Sequence, residues 1–288
     1  MPSLRVLAHR TDLSGVVTQP DRPAGRGHKL QPTPVKTAAN ELGLRVYEPR
    51  SLRDFGEQLS REAFDLFALA SYGKILPKRI LDLPRLGALN VHPSLLPKYR
   101  GATPLQSALR EGANETGVTI MLMDAGMDTG DVVLQERTPV RPGETYGELH
   151  DRLANFGAQA LSHAIDLARS GHIPRVPQTG EASVTKPVTK DDLRLDWNDS
   201  ASQIVNTVRA FSPQPAARAD VNGISVKILN ARVAPLETLE PPGSVIGVDG
   251  DALVVAARKG AVALTRVVPP NKGEQSGATF AQSLGVRS

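Results

Sequence analysis

The residues most able to do chemistry lie in two short motifs, one at residues 90–97 and one around Asp128. Asn90 and His92 stand two positions apart at the end of the apolar run Leu86–Val91. Alternate residues of a strand point to the same face, so the two side chains should project side by side. A carboxamide can hold a developing oxyanion, an imidazole can move a proton, and a carboxylate can orient the imidazole. This combination of groups is suited to acyl transfer.

The same residues also have plainer interpretations. An Asn-x-His pair at a strand end is often structural, and Asp128 in the Gly-rich turn Asp124–Gly130 is typical of an Asx turn. Ser94–Pro97 is equally typical of a tight loop with two core leucines. The catalytic prediction therefore depends on context. Gly101–Pro104 follows the first motif, and Thr116–Met121 has the pattern of a strand that leads into the Asp128 turn.

Length and composition favour a two-domain protein without a disulfide framework. A chain of 288 residues can build two separate cores. It contains no cysteine, and its six histidines show no ligand spacing, so we expect no metal. An apolar signal core and a run long enough to span a membrane are both missing from the sequence. We expect a cytoplasmic monomer.

Positive charge is concentrated near the beginning of the chain. Residues 1–50 hold eight basic and four acidic residues, whereas residues 191–288 hold ten of each. The excess surrounds the loop Arg22–Lys36, which could attract a phosphate backbone. Simple solvation of this loop is the alternative.

Strand-like and helix-like segments alternate through the first 170 residues. This alternation predicts an α/β domain with a Rossmann-like, mostly parallel sheet covered by helices on both faces. The predicted strands are 14–19, 45–47, 65–70, 88–92, 116–123 and 131–140, and the predicted helices are 4–13, 33–42, 56–62, 104–111 and 146–170. Ligands bind such sheets beyond the carboxyl ends of strands, where Asn90 and His92 fall.

The remainder of the chain has a different pattern. Residues 173–190 are rich in Pro, Ser and Thr and predict a linker. After a predicted helix at 201–211, short strands separated by Asn-Gly, Asp-Gly and Lys-Gly turns predict a small β-barrel. These strands are 216–221, 225–233, 244–248, 252–256 and 262–267. The predicted domains are 1–172, with the catalytic groups, and 191–288, joined by the linker 173–190.

The motifs resemble those of a known family. Leu89–Val132, together with Leu66–Pro77, resembles the folate-dependent formyltransferases. Thr18–Gly27 is similar to the branch of that family that acts on an aminoacylated tRNA. The resemblance extends over nearly the whole chain. It implies a formyltransferase catalytic domain followed by an OB-like barrel that binds tRNA.

The resemblance also implies a reaction and its site. The donor would be 10-formyltetrahydrofolate, and the acceptor would be the α-amino group of methionine on initiator tRNA. Asn90 would hold the oxyanion, helped by a protonated His92 whose pKa the charge of Asp128 would raise. Asp128 would also position a water that relays a proton to the leaving nitrogen. The residues implied to line the folate pocket are Ser94, Leu95, Leu96, Pro97, Ile75 and Leu76.

The basic loop is implied to reach the acceptor end of the tRNA, with Arg26 near the terminal pair. The residues implied to bind tRNA are Arg22, Arg26, Lys29, Lys186 and Arg209. His28 stands where many relatives carry a basic residue, which weakens the charge contact. Simple solvation is the alternative for each isolated Lys or Arg.

Other functions remain open at this point. A formyltransferase acting on a sugar amine or a purine-precursor amine would use the same three residues, but it would need neither the basic loop nor the barrel. A formyl-folate hydrolase would use water as the acceptor. A nucleic-acid-binding protein without activity would use only the barrel and the loop.

One departure from the family concerns the first strand. Relatives begin with a strand and a Gly-Thr-Pro turn, whereas this chain begins inside the following helix, at Met1–Leu4. That strand would lie in the middle of the parallel sheet. We expect its neighbours, among them residues 14–19, to have unpaired edges or to be forced together.

Overall fold

The computed structural model describes residues 1–24 and 29–286, which form two compact units. Each unit gathers stretches that are separate in sequence. The first unit consists of Met1–Gly101, Gly117–Thr138 and Arg152–Val184, and the second of Ala102–Thr116, Pro139–Asp151 and Thr185–Ser288. Each predicted domain was one continuous segment of the sequence, and the predicted domain boundaries stay a prediction. The observed first unit includes much of the segment that was predicted to be a linker.

Helices and strands alternate in the first part of the chain, as predicted. In chain order these elements are α1 Pro2–Arg10, β1 Val16–Val17, β2 Arg22–Ala24, β3 Lys29–Gln31, α2 Pro34–Glu41, β4 Val46–Tyr47, α3 Leu52–Leu59, β5 Phe67–Leu69, α4 Lys78–Leu81, β6 Ala88–His92, β7 Arg100–Gly101, α5 Pro104–Arg110, β8 Glu115–Leu122, β9 Val132–Pro139, α6 Tyr146–Arg169 and β10 Val184–Thr185.

The strands that carry the candidate site form two hydrogen-bonded sheets. β1 pairs in parallel with β4. A separate four-stranded sheet has the order β5-β6-β8-β9, with β5 parallel and β8 antiparallel to β6. Within the described ranges, no strand hydrogen-bonds to both β1 and β5. The predicted α/β class with parallel pairing is therefore confirmed, with an antiparallel step at β8.

The base of the candidate site is the rigid pair β6 and β8. Leu89 of β6 and Ile120 of β8 are fully buried, because apolar side chains cover both faces of these strands. The long helix α6 packs closely here, since a Cβ atom on Gly157 would come within 2.8 Å of Val91 Cγ1. Adjacent Pro93 has no N–H to continue the ladder. The strand therefore ends at His92.

Two predicted segments differ from the structure. Helix α3 begins at Leu52 rather than at residue 56, because the Ser51 side chain caps it by accepting a hydrogen bond from Asp54 N. The predicted loop Arg22–Lys36 contains the antiparallel strands β2 and β3, in which Arg22 pairs with Gln31. Proline and glycine had indicated only a loop there, but an edge strand tolerates proline.

The second unit contains an antiparallel sheet. Its further elements are a 3-10 turn Asp191–Leu193, α7 Ala201–Phe211, β11 Ala217–Val221, β12 Ile224–Ala234, β13 Val245–Asp249, β14 Ala252–Ala256, β15 Ala261–Val268, β16 Gln275–Ser276 and α8 Gly277–Ser283. The strand order is β11-β12-β15-β14-β13, and β16 also pairs with β15. Alternate residues such as Ile228, Leu253 and Leu264 form a core with Phe280 of α8. The predicted β domain is confirmed, and its closure into an OB-like barrel stays a prediction.

No helix within the described ranges is both long and apolar enough to cross a membrane.

Candidate active site

His92 lies at the carboxyl end of β6 and is only 4% exposed. Its Nε2 atom lies 3.0 Å from the carbonyl oxygen of Tyr99, and its Nδ1 atom lies 3.7 Å from Asp128 Oδ2. Because a carbonyl oxygen only accepts hydrogen bonds, Nε2 carries the hydrogen of the neutral imidazole. The Nδ1 lone pair then faces Asp128 and can take up a proton. The structure thus brings together the predicted histidine and carboxylate.

The protonation of His92 differs from the sequence expectation. Burial lowers the pKa of His92 from its ordinary value of 6.5, while the charge of Asp128 and the hydrogen bond to Tyr99 act in the opposite direction. Asp128 therefore has the predicted sign of effect, but burial outweighs it. The resting imidazole is neutral near pH 7, whereas the sequence analysis expected it to be protonated.

The protonation of His92 can be tested by an NMR titration. We expect the pKa of His92 to lie below 6.5 in the free protein. The substitution Asp128→Asn should lower this pKa further, because it removes a negative charge that favours the imidazolium. A His92 pKa that rises in Asp128→Asn would contradict this assignment.

Asn90 presents the second predicted group. It lies in the middle strand β6, where it is in register with Leu69 on one side and Met121 on the other. Its side chain is half-buried and forms no hydrogen bond within the described ranges. A carboxamide held by a rigid strand and left without a protein partner is available to a bound substrate.

The turn between β8 and β9 holds Asp128 in place. Asp128 has a left-handed φ of 54°, and its Oδ2 atom accepts a hydrogen bond of 2.7 Å from Gly101 N. A Cβ atom on Gly130 would lie 1.7 Å from Leu122 O, so the chain can turn back this tightly only at glycine. The backbone geometry therefore aims the carboxylate at the segment that also contacts His92.

Two of the residues implied to line the folate pocket face the protein interior. Ser94 is fully buried and its Oγ atom donates to Lys98 O at 2.6 Å. Leu96 is 5% exposed, and its N–H donates to Thr119 Oγ1 at 3.2 Å. Their side chains match the alternative of a tight loop with core residues, and the other two members of the run 94–97 are half-exposed. A role for Ser94 and Leu96 in the folate pocket stays a prediction.

The remaining two pocket candidates differ in exposure. Leu76 packs against the apolar cluster that includes Phe55 and Ile80. Ile75 is 87% exposed, which leaves its side chain free to cover a ligand. A role for Ile75 in the pocket stays a prediction.

The candidates in the basic loop are only partly described. Arg22 in β2 is exposed, and its guanidinium lies 3.4 Å from Gln19 Oε1. Lys29 begins β3. Arg26 and His28 lie outside the described residues. Their roles stay predictions.

The two tRNA candidates in the second unit have different surroundings. Lys186 is exposed. Arg209 is half-buried, and its guanidinium donates to Asn206 Oδ1 at 2.9 Å and to Leu109 O at 3.3 Å. These contacts tie helix α7 to the end of α5, so Arg209 has a stabilising role whether or not it binds tRNA.

Two side chains beside Asp128 were not predicted from the sequence. They are Arg100 and Gln178. Arg100 donates two hydrogen bonds to Gln178 Oε1, at 2.7 and 3.1 Å. Arg100 lies three residues after the first motif, and this proximity was the available signal. Gln178 lies in the Pro-rich segment that composition assigned to a linker, so nothing distinguished it.

Comparison with known proteins decides the family. Residues 3–165 match the model described as formyl transferase, and residues 187–285 match the model of the formyl transferase C-terminal domain. The chain belongs to the formyl transferase family. The predicted resemblance is thereby confirmed, and the buried His92–Asp128 pair lies within the matched catalytic part.

Relatives with assigned names point to one branch of the formyl transferases. The chain is 44% identical to a methionyl-tRNA formyltransferase of Xylella fastidiosa strain M23 over 272 residues, 93% of this chain and 88% of that protein. It is 43% identical to a methionyl-tRNA formyltransferase of Syntrophus aciditrophicus, over 97% of this chain and 91% of that protein. Both similarities extend over more than nine-tenths of this chain.

A solved structure supports the fold. An N-formyltransferase from Helicobacter canadensis, crystallised with folinic acid and dTDP-3-aminofucose, has a TM-score of 0.66. It is 17% identical and is covered to 93%, over 91% of this chain. At this identity the likeness shows that the two formyltransferases share a fold.

Proposed function

We propose that this formyltransferase transfers the formyl group of 10-formyltetrahydrofolate to the α-amino group of methionine on initiator tRNA. The observation that carries the chemistry is the half-buried Asp128 carboxylate facing buried His92, at the end of the strand that also holds Asn90. The Asn90 carboxamide has no hydrogen-bond partner among the described residues. The tRNA substrate is supported by the names of relatives that this chain matches over nearly its full length. The proposal describes a cytoplasmic monomer and assigns no step to a metal.

The reaction exchanges one carbon–nitrogen bond for another. The neutral amine attacks the formyl carbon, and the carbonyl oxygen becomes an oxyanion. The Asn90 N–H groups donate to this oxyanion. The new ammonium loses a proton, the bond from the formyl carbon to N10 breaks, and N10 receives a proton. The products are a formylated amine and tetrahydrofolate.

His92 is suited to carry this proton. Its resting imidazole is neutral, so Nδ1 can accept the proton from the attacking amine, directly or through one water. Asp128 then stabilises the imidazolium by its charge and favours the proton-bearing state at the moment it forms. The same proton can pass to N10. In this order of steps His92 becomes protonated only during the reaction, whereas the sequence predicted a protonated His92.

The acceptor can be tested directly. Purified protein with 10-formyltetrahydrofolate should formylate initiator methionyl-tRNA with a kcat/KM far above that for a nucleotide-linked amino sugar. Release of free formate without an acceptor should be slow. Faster formylation of the sugar amine, or formate release that matches turnover with tRNA, would contradict the proposed acceptor.

The basic loop carries a further prediction. Arg26→Ala should raise the KM for initiator tRNA and leave the affinity for the folate donor unchanged, because Arg26 lies in a basic segment well separated in sequence from Asn90 and His92. Affinity for tRNA should also fall as salt rises, since phosphate contacts release counterions. Arg53→Ala, which removes an exposed charge from α3, is the matched control. Equal tRNA kinetics in Arg26→Ala and wild type would refute the role of the loop.

A further inference from the structure

We infer that Gln178 is a positioning residue that fixes Asp128 and the Tyr99–Gly101 segment in one arrangement for formyl transfer. The inference rests on the proposed roles of His92 and Asp128. It assigns a function to a segment whose composition indicated only a linker.

The Gln178 carboxamide binds the backbone carbonyls of the two residues that flank Thr129. Its Nε2 atom donates to Asp128 O at 2.9 Å and to Gly130 O at 2.8 Å. Both amide hydrogens are used, and both acceptors belong to the turn that carries the catalytic carboxylate. Gln178 therefore holds the backbone of Asp128 in place.

The other end of the same carboxamide holds Arg100. The Arg100 guanidinium donates to Gln178 Oε1 through Nε and through a terminal nitrogen. Carbonyl oxygens only accept and a guanidinium only donates, so the orientation of the amide group is fixed by its partners. Gln178 joins the Asp128 turn to the segment that follows the Asn90–Pro97 motif.

Ser183, five residues beyond Gln178, strengthens the same connection. Its Oγ atom accepts a hydrogen bond from Tyr99 N at 2.8 Å. Its carbonyl oxygen accepts from Arg100 N at 2.9 Å, and its N–H donates to Pro97 O at 3.2 Å. The segment 178–183 thus binds the loop that supplies both the Tyr99 carbonyl to His92 and the Gly101 N–H to Asp128.

The contacts close a ring of hydrogen bonds beside the His92–Asp128 pair. The ring passes from Arg100 through Gln178 to the Asp128 backbone, and it returns from the Asp128 carboxylate to Gly101 N. The carbonyl of adjacent Tyr99 holds His92 Nε2. The distance between His92 Nδ1 and Asp128 Oδ2 is 3.7 Å, longer than a hydrogen bond. Because no direct bond fixes this distance, the surrounding ring must set it.

Glutamine is the side chain that these partners require. Glutamate at this position would keep an acceptor for Arg100 but would place a carboxylate oxygen against two backbone carbonyls. Leucine has a similar size and would lose every hydrogen bond. Asparagine is one methylene shorter. Gln178→Glu removes the two bonds that the side chain donates, whereas Gln178→Leu removes all of its hydrogen bonds. Comparing the two variants therefore distinguishes the effect of the donated bonds from that of the whole side chain.

The experiment combines these two variants with Asp128→Asn. We expect Gln178→Leu and Gln178→Glu to lower the single-turnover rate of methionyl-tRNA formylation by about ten- to a hundredfold, as expected for a displaced catalytic group. The KM values for donor and tRNA should stay within about twofold. In the Asp128→Asn background, Gln178→Leu should add less than about a further twofold, because it acts through Asp128. Gln58→Leu on α3, which changes an exposed glutamine, is the matched control.

A second measurement keeps the inference separate from the proposed substrate. Gln178→Leu should lower the pKa of His92 in an NMR titration without substrates, because the carboxylate that raises it moves away. Wild-type protein that fails to formylate methionyl-tRNA would overturn the proposed function but not this shift. Three results would overturn the inference itself: an unchanged rate and His92 pKa in both variants, a full additional loss in the Asp128→Asn background, or failure of both variants to fold.

Discussion

Replacing His92 by alanine should lower turnover by about a hundredfold or more, while the folate donor still binds. In the proposed mechanism, the alanine variant loses the group that takes a proton from the attacking amine and returns one to N10. The amine can still attack, and Asn90 can still hold the oxyanion, so residual activity should remain. A single-turnover assay with saturating donor and tRNA isolates the chemical step from binding and release.

The chain offers a close control for this substitution. His163 also lies next to a carboxylate, that of Glu136, but its side chain is 64% exposed. His163→Ala should therefore leave the rate unchanged. Single-turnover formylation by His92→Ala at nearly the wild-type rate would show that His92 is a structural residue. A loss of donor binding equal to the loss of rate would instead place His92 in the folate pocket.

The sequence predicted those parts of the site that depend on short-range patterns. Strand β6 ends where Pro93 interrupts the ladder, and the alternation of a strand places Asn90 and His92 together. The family motif implied Asp128 as the partner of His92, whereas its contact with Gly101 N and the antiparallel pairing of β6 with β8 are known only from the structure. The predicted features have clear signatures because each uses a side chain with a distinctive chemistry.

The parts that the sequence could not predict depend on tertiary packing. The pKa of His92 is lowered because the elements around β6 bury the imidazole. The opposing charge of Asp128, by contrast, can be read from the sequence. Gln178 is separated by 50 residues from Asp128 and donates a hydrogen bond to its backbone carbonyl. Backbone acceptors leave no mark on the sequence of the partner. A glutamine among prolines therefore looked like part of a linker.

Replacing Asn90 by alanine should lower the rate of the chemical step by about a hundredfold or more. The carboxamide is held by β6 and has no hydrogen-bond partner within the described ranges, so it needs no reorganisation before it donates. The oxyanion exists only after the amine has attacked, so the loss should fall on kcat rather than on KM. The substitution removes one carboxamide group from a half-buried position, so the fold should persist.

Asn90→Asp distinguishes donation from shape. Aspartate has nearly the same size, but its carboxylate would face the developing oxyanion, so this variant should be slower than Asn90→Ala. Exposed Asn40 in α2 allows the same change as a control, and Asn40→Asp should have no effect on rate. If Asn90→Asp were as active as wild type, Asn90 would not be a donor. If it were intermediate between wild type and Asn90→Ala, the side chain would act by filling space, because a carboxylate that repels the oxyanion cannot improve on alanine.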